Sequence, residues 1–197
     1  MNKVILFGGS FDPPHLGHLV VAQWVSEQFA APVRFLPSAN PPHKRPTSSS
    51  THRLSMLRLA LANNPNFILD DFEYSSATRF TVDTLRAYRR KHNLTRDQLC
   101  FVVGSDSFNS LEQWRDPWGI LQECTLVVYR RELVDQSVVQ RLERRNAKFV
   151  FCQAPSIEIS STMVRTRVAQ GMSIKYLVPQ CVAEYILKTG LYREGNI

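Results

Sequence analysis

The sequence predicts an α/β fold, a single domain built on a Rossmann-like open parallel sheet with helices on both faces. Short apolar, largely β-branched runs alternate with amphipathic runs of helical length, which is the pattern of repeated strand–helix–strand units. The run Leu99–Val103 is apolar throughout, as expected for a central strand buried on both faces. A hydrophobic fraction of 44% is sufficient for one core. We therefore expect one domain over residues 1–197, with a helical C-terminal part from about residue 160.

The first strand–helix–strand unit lies at the start of the chain. Lys3–Phe7 predicts a buried strand, and Gly8-Gly9 directly after it predicts a tight turn. The helix that begins at Leu16 should end before Pro32, because the residue ahead of a proline is disfavoured in helical backbone. Val33–Pro37 predicts the second strand. The apolar stripe of the helix consists of Val21, Trp24, Val25 and Phe29.

Ser38–Thr51 is a polar, proline-rich segment that predicts a long loop. Long loops at the carboxyl ends of parallel strands are candidates for function, because ligands bind in the crevice there. We expect Pro42-His43-Lys44 to carry a cation on a stiffened arm that closes over an anion with little loss of entropy. A flexible surface loop is the alternative, and the serines favour it for the second half of the segment.

The remaining runs complete the predicted sheet. Strands are expected at 67–69, 99–103, 125–129 and 148–152, and helices at about 51–62, 80–91, 138–145, 163–168 and 179–192. Thr81 is a candidate N-cap with Asp83 in the first helical turn. Asp70-Asp71-Phe72-Glu73 is expected to be a solvated strand edge without a ligand. The last helix, with Gly190 at its end, should cover the sheet.

The segment after the first strand is the strongest functional candidate. Glycines let a ligand approach the backbone closely, and a helix N-terminus presents free N–H groups to an anion. His15 and His18 are three residues apart at a helix start, so they share a face and can contact one group. Two imidazoles converging with free amides favour a polyphosphate over a neutral ligand. The alternative is a turn with two packed histidines.

Two later segments are also candidates for ligand binding. Gly104 follows a central strand, where it predicts a turn and would let a ligand approach the main chain. Asp106 could accept from ribose hydroxyls. Ser160-Ser161-Thr162 precedes a helix, and its hydroxyls with the free amides form a second anion cradle. Arg165 lies on the same helical face and points back toward that start. An ordinary helix cap is the alternative.

Trp114 and Trp118 lie beside Pro117 and are either core residues or, next to the crevice, a platform for a heteroaromatic ring. The formal net charge of +7 favours anionic partners, which include nucleic acid, a membrane surface and a polyanionic small molecule. No apolar stretch approaches the length of a membrane span. The widely spaced cysteines favour reduced thiols over disulfides or a zinc site, and with them a cytoplasmic location. These are Cys100, Cys124, Cys152 and Cys181.

The segment Gly8–His18 resembles the signature of the nucleotidylyltransferases that carry a G-x-F-D-x-x-H-x-G-H motif. Further stretches across the chain resemble one branch, the bacterial nicotinate mononucleotide adenylyltransferases. They are Ser38–Lys44, Phe80–Leu85, Gly104–Ser107 with Leu111 and Trp114, and Ile159–Arg165. Phe80 stands where a tyrosine is common in that branch. Tyr129-Arg130-Arg131-Glu132 replaces a usual Arg-Pro-Gly turn, so the arginine that borders the substrate stays open.

The resemblance implies a role for each residue of the motifs. The catalytic residues would be His15, His18, Lys44 and Arg165. ATP would be bound by Gly8, Gly9, Ser10, Phe11, His15, His18, Lys44, Gly104, Asp106, Ser161, Thr162 and Arg165. The mononucleotide would be bound by Asn40, Lys44, Thr81, Asp83, Trp114 and Arg115, with Trp114 on the face of the pyridine ring.

The implied activity is transfer of the adenylyl group of ATP to nicotinate mononucleotide in NAD biosynthesis, by direct attack of the mononucleotide phosphate on the α-phosphorus. Mg²⁺ would be bound mainly through the ATP phosphates, without a metal site made by the protein. Loss of the charge of His18 should cost about 3 kcal/mol of transition-state stabilisation. The partners would be these small molecules, with no nucleic acid and no membrane, and the chain would be a monomer or a homo-oligomer.

Other functions remain open at this level. The acceptor could be nicotinamide mononucleotide, phosphopantetheine or a cytidylyl acceptor. A nucleic-acid-binding module would place its basic residues on one face with exposed aromatic residues, and its affinity would fall steeply with salt. A relic of a class I aminoacyl-tRNA synthetase would share the H-x-G-H element, but a lysine-rich loop would stand in place of Ser160–Arg165.

Overall fold

The computed structural model of the protein describes residues 3–39, 46–76, 78 and 80–193. Within them, a parallel six-stranded sheet has the order β3-β2-β1-β4-β5-β6. The strands are β1 Val4–Gly9, β2 Val33–Pro37, β3 Phe67–Leu69, β4 Leu99–Gly104, β5 Thr125–Tyr129 and β6 Phe149–Cys152. The predicted fold class is confirmed.

Helices connect the strands, as the alternating pattern predicts. They are α1 Leu16–Phe29, α2 Ser50–Leu61, α3 Phe72–Ser76, α4 Thr81–Lys91, α5 Ser105–Asn109, α6 Pro117–Glu123, α7 Gln136–Arg144, α8 Ser161–Ala169 and α9 Gln180–Thr189, with a 3-10 turn at Leu111–Gln113. The sequence prediction omits α3, α5, α6 and the 3-10 turn, because elements of seven residues or fewer hold too few turns for a periodic pattern.

Alternation along β1 explains why helices cover both faces of the sheet. Ile5 and Phe7 belong to one apolar cluster with Val21 and Val25 of α1. Leu6 points to the other face and belongs to a second cluster, which contains residues of α4 and α6. Trp24 is 44% exposed, so its predicted place on the buried stripe of α1 is wrong.

The centre of the sheet is the point at which the strand order reverses. β1 pairs with β2 on one side and with β4 on the other, so the connections that leave β1 and β4 run to opposite faces. This arrangement opens a crevice at the carboxyl ends of the two strands. Both strands end in glycine, and neither glycine forms the predicted turn.

The prediction of a turn at Gly8-Gly9 is wrong because both residues continue β1 and pair with Leu36 and Pro37. Their lack of a side chain serves packing. A Cβ on Gly8 would lie 3.0 Å from the ring of Phe101, and one on Gly9 would lie 3.1 Å from the ring of Phe11. The chain turns only afterwards, where Phe11 has a φ of 48° and the Asp12–Pro13 peptide is cis.

The acidic segment after β3 is not the solvated edge that the sequence predicts. Asp70 accepts the Tyr88 hydroxyl at 2.7 Å, and Glu73 accepts the Thr84 hydroxyl at 3.1 Å and the backbone N–H of Ala39 at 3.3 Å. Burial raises the pKa of the Glu73 carboxyl. These bonds join the ends of β2 and β3 to α4.

The N-cap prediction at Thr81 is wrong by one residue. The backbone carbonyl of Phe80 accepts the first helical bond, from Thr84 N at 3.0 Å, so Thr81 is already helical. Asp83 lies in the first turn as expected.

The last helix does not cover the sheet. α9 ends at Gly190 as predicted, but it packs with α2 and α8 around a third apolar cluster that includes Met56, Val164, Val182 and Ile186. The predicted boundary near residue 160 stays a prediction. In the described part of the chain, no helix is long and apolar enough to cross a membrane.

Candidate active site

Three distant segments meet at the carboxyl edge of the sheet and line a cavity of ≈ 320 Å³. They are the turn after β1, the junction of β4 with α5, and the start of α8. Most of the predicted ATP-binding residues lie around this cavity, together with Trp114. The predicted residues in the lining are Gly8, Gly9, Ser10, Phe11, His15, His18, Gly104, Asp106, Trp114, Ser161, Thr162 and Arg165.

The two histidines of the motif stack on one another. Their ring centroids are 3.6 Å apart, with 27° between the ring planes. The backbone N–H of His15 donates to Nδ1 of His18 at 3.2 Å. A neutral ring whose Nδ1 accepts a hydrogen bond carries its proton on Nε2. The start of α1 therefore sets His18 as an Nε2–H donor at the cavity.

Both imidazoles are neutral at pH 7. Burial, followed by the nearby Arg131 cation, lowers the pKa of His15 from 6.5 to about 3. Burial is also the main cause that lowers the pKa of His18, with contributions from His15 and Arg131. His18 is thus uncharged in the protein without nucleotide, and the predicted charge, which concerns the complex with ATP, stays a prediction. A bound polyanion would favour the protonated forms and raise both pKa values.

The start of α8 is bonded to the turn that follows β1. Ser160 caps the helix by accepting the backbone N–H of Met163 at 3.1 Å. The Ser161 hydroxyl donates to the carbonyl of Pro13 at 2.8 Å. The bond of Ser161 holds the start of α8 against the turn after β1, across 148 residues of sequence. The role of this helix start in binding an anion stays a prediction.

Arg165 is oriented by the same contact. Its Nη1 donates to the carbonyl of Asp12 at 2.7 Å, and its Nη2 donates to Thr162 Oγ1 at 3.1 Å. A guanidinium has five N–H donors, so others are left for a ligand in the cavity. His18 and Arg165 thus line one cavity from two ends of the chain.

The junction of β4 and α5 forms the third wall. Asp106 pairs through Oδ2 with Nη1 of Arg131 at 3.2 Å. Its other oxygen, Oδ1, is buried and receives no hydrogen bond from the described residues. A Cβ on Gly104 would lie 2.8 Å from Cδ of Arg131, so the glycine allows the arginine to lie against the strand end.

The predicted mononucleotide site is less complete. Trp114 is half-buried in the cavity lining, whereas Thr81, Asp83 and Arg115 do not line it. Arg115 lies over the ring of Phe80 at 4.3 Å from its centroid, next to the start of α4. Asn40 and Lys44 lie outside the described residues, so their roles stay predictions.

Sequence reasoning missed two buried groups that support the site. The carboxylate of Asp12 accepts the Tyr192 hydroxyl at 2.7 Å, the Thr47 N–H at 2.6 Å and the Ser48 hydroxyl. Arg53, which is 1% exposed, donates to the carbonyls of Ser10, Ser38 and Ala39. Asp12 belongs to the motif, which is a signal in the sequence; Tyr192 has none, because its partner is 180 residues away.

The chain is similar to known proteins in sequence and in fold. The family model described as cytidylyltransferase-like matches residues 6–167. A Thermomicrobium roseum protein named "Probable nicotinate-nucleotide adenylyltransferase" is 38% identical over 203 residues, which cover 98% of this chain and 92% of that protein. A Thermus thermophilus protein of the same name is 37% identical over 193 residues, with coverages of 97% and 100%.

A solved structure shares the fold. The structure of Plasmodium falciparum nicotinic acid mononucleotide adenylyltransferase complexed with NaAD superposes with a TM-score of 0.83 and covers 98% of each chain at 22% identity.

Proposed function

Because the chain belongs to the cytidylyltransferase-like family and, within it, to the nicotinate-nucleotide adenylyltransferases, we propose that it transfers the adenylyl group of ATP to nicotinate mononucleotide. The products are nicotinate adenine dinucleotide and pyrophosphate, and the reaction belongs to NAD biosynthesis. The observation that carries the proposal is the convergence of His18, Arg165 and the start of α8 on one cavity at the reversal point of the sheet.

The reaction needs no covalent enzyme intermediate. An oxygen of the mononucleotide 5′-phosphate attacks the α-phosphorus of ATP, and the bond from that phosphorus to the bridging oxygen breaks. The electron pair of that bond leaves with pyrophosphate. The nucleophile is already ionised, so the protein has to align two anions and spread the charge of the leaving group.

The described residues are suited to that task. His18 presents its Nε2–H as a donor to a phosphate oxygen of ATP, in an orientation set by the backbone of His15. Arg165 and the amides at the start of α8 receive the phosphates from the other side. Gly104 and Asp106 are proposed to contact the adenosine, and Trp114 to stack on the pyridine ring.

A divalent cation, which we propose to be Mg²⁺, would neutralise part of the phosphate charge when it is bound. The donors around the cavity fit a cation that the nucleotide carries with its own oxygens. Asp12 already accepts bonds from Thr47, Ser48 and Tyr192, and Asp106 is paired with Arg131. Among the described residues, no group of three or more His, Cys, Asp or Glu side chains is placed to hold a metal ion.

We place the reaction in the cytoplasm, on small-molecule substrates and without a nucleic-acid or membrane partner. The free cysteines support the location, and a cavity lined by His18, Arg165 and the start of α8 supports a small anionic substrate. The net charge of +7 then serves two anionic substrates.

The experiment that tests the function offers three acceptors in parallel. ATP and Mg²⁺ are incubated with nicotinate mononucleotide, nicotinamide mononucleotide or phosphopantetheine, and dinucleotide and pyrophosphate are measured. We expect the nicotinate acceptor to give the highest kcat/KM. A higher value with either other acceptor would contradict the proposal.

His18→Ala tests the site. Loss of a donor aimed at the transition state should lower kcat about a hundredfold while changing the KM for ATP far less. His92→Ala is the matched control, because His92 lies at the end of α4 against Tyr88, outside the cavity lining. Wild-type kcat in His18→Ala, or equal losses in both variants, would refute the assignment.

A further inference from the structure

Arg131 lies in the turn after β5, and that turn is fastened to the start of α5. The Ser105 hydroxyl accepts the backbone N–H groups of Arg131 and Glu132, each at 2.9 Å, and donates to the carbonyl of Glu132 at 2.9 Å. Ser105 itself is fully buried. The backbone of Arg131 is therefore held in place, and its side chain alone is free to change partner.

The Arg131 side chain extends from this turn over the end of β4. Its Cδ lies where only a glycine at 104 leaves room, and its guanidinium pairs with Asp106. Both side chains line the same cavity as His15 and His18. They are 42% and 41% exposed, so solvent reaches the pair and neither partner is locked in the interior.

Without a ligand, Asp106 engages Arg131 with one oxygen, while its buried Oδ1 takes no hydrogen bond from the described residues. A buried carboxylate oxygen without a donor is costly, so Asp106 is suited to a hydroxyl-bearing ligand. Arg131 faces the opposite demand. A triphosphate carries several negative charges and offers an arginine forked, charge-assisted bonds, whereas Asp106 offers one charge in a solvent-exposed pair.

We propose that Arg131 favours the triphosphate over the unphosphorylated nucleoside, because it exchanges partners when ATP binds. Asp106 holds it over Gly104 in the free protein; the arginine then moves to the triphosphate, and Asp106 takes the ribose hydroxyls. This inference rests on the proposed binding of ATP in the cavity. It adds that the phosphates draw Arg131 away from Asp106, where the ribose is then bound.

The exchange predicts that loss of Arg131 changes the affinity for adenosine and the affinity for ATP in opposite directions. Adenosine has to displace the Arg131 side chain, which lies over Gly104 beside the buried Oδ1 of Asp106, without offering a phosphate in return. ATP instead replaces the Arg131–Asp106 pair by a stronger one. Arg131→Ala should therefore bind adenosine about two- to fivefold more tightly than the wild type, which is the range of an exposed ion pair. The same variant should bind ATP more weakly, by about tenfold or more, because it loses a charge-assisted contact.

The dissociation constants are measured by tryptophan fluorescence or by NMR titration, with adenosine and with ATP as the probes. Arg131→Gln, which keeps the side-chain stem as far as Cδ without the charge, should reproduce both changes. Arg141→Ala is the matched control, since Arg141 forms a comparably exposed pair with Glu112 outside the cavity, and it should leave both constants unchanged.

Opposite changes for adenosine and ATP support the exchange. Weaker binding of both ligands, loss of ATP binding with unchanged adenosine binding, or no change in either constant overturns it. The titrations need no acceptor and no turnover, so they are independent of the acceptor assay. A wild-type protein that binds ATP but makes no dinucleotide refutes the proposed function and leaves this test intact.

Discussion

The hydroxyl of Tyr192 is expected to stabilise the protein and to position the nucleotide site. Tyr192 is 1% exposed and lies near the end of the described chain. Its hydroxyl is 2.7 Å from Asp12 Oδ1, 3.3 Å from Ser48 Oγ and 3.9 Å from Met56 Sδ. Because Ser48 donates its own proton to Asp12, the Tyr192 proton also goes to that carboxylate. Tyr192→Phe removes this one donor and keeps the ring.

The expected loss follows from the kind of bond. A hydrogen bond to a charged acceptor contributes about 1.5–3 kcal/mol, and Asp12 retains the bonds from Thr47 and Ser48. We therefore expect Tyr192→Phe to lower the free energy of unfolding by about 2 kcal/mol. For a chain of this length the melting temperature should fall by about 4–8 °C.

Urea denaturation and thermal melting measure this loss, with Tyr185→Phe as the matched control. The Tyr185 hydroxyl bonds to Nδ1 of His52 at 2.9 Å in a half-buried contact, so its removal should cost about 1 kcal/mol or less. The carbonyl of Asp12 orients Arg165, so the KM for ATP should also rise in Tyr192→Phe only. Equal destabilisation of both variants, or a loss below about 0.5 kcal/mol for Tyr192→Phe, would refute the reasoning.

Arg53→Met should lower the free energy of unfolding by about 3 kcal/mol or more, because three carbonyls at the ends of β1 and β2 lose their donor. Urea denaturation measures this loss. The control is Arg58→Met, which changes an exposed residue of the same helix and should have little effect. An equal effect of both substitutions would contradict this. The second prediction concerns pH. Since the pKa of His15 is about 3 in the folded protein and 6.5 is its ordinary value, the unfolded chain binds more protons between these values. The contribution of the neutral His15 to the free energy of unfolding should therefore be complete above pH 6.5. It should fall as the pH drops below that value, by up to about 1.4 kcal/mol per pH unit. Unfolding free energies from pH 7 to 5 should decline less in His15→Gln than in the wild type, and parallel curves would exclude His15 as the source.

The sequence predicts the strands because burial on two faces leaves a local trace. β5 is predicted at the residues it occupies, and β2 and β3 likewise, since β-branched apolar runs end sharply at polar or proline-containing segments. The segments of the candidate site are predictable for a related reason. They follow strands of one parallel sheet, and the carboxyl ends of such strands lie at the same edge.

The sequence fails where a residue's state depends on distant neighbours. Glycines read as turns lie inside β1 and at the end of β4, because the rings of Phe101 and Phe11 and the side chain of Arg131 need the space beside them. The acidic residues Asp70 and Glu73 turn inward because Tyr88 and Thr84 supply donors from α4.

The sequence by itself determined the order of strands and helices along the chain, the class of ligand, and the three segments whose motif residues line the cavity. Each of these follows from local periodicity or from a short motif within one segment. Only the tertiary structure decided that the histidines are neutral, that Arg131 pairs with Asp106, and that Tyr192 holds Asp12. Protonation and pairing depend on burial and on charges within a few ångströms, and the folded chain brings those together from residues far apart in sequence.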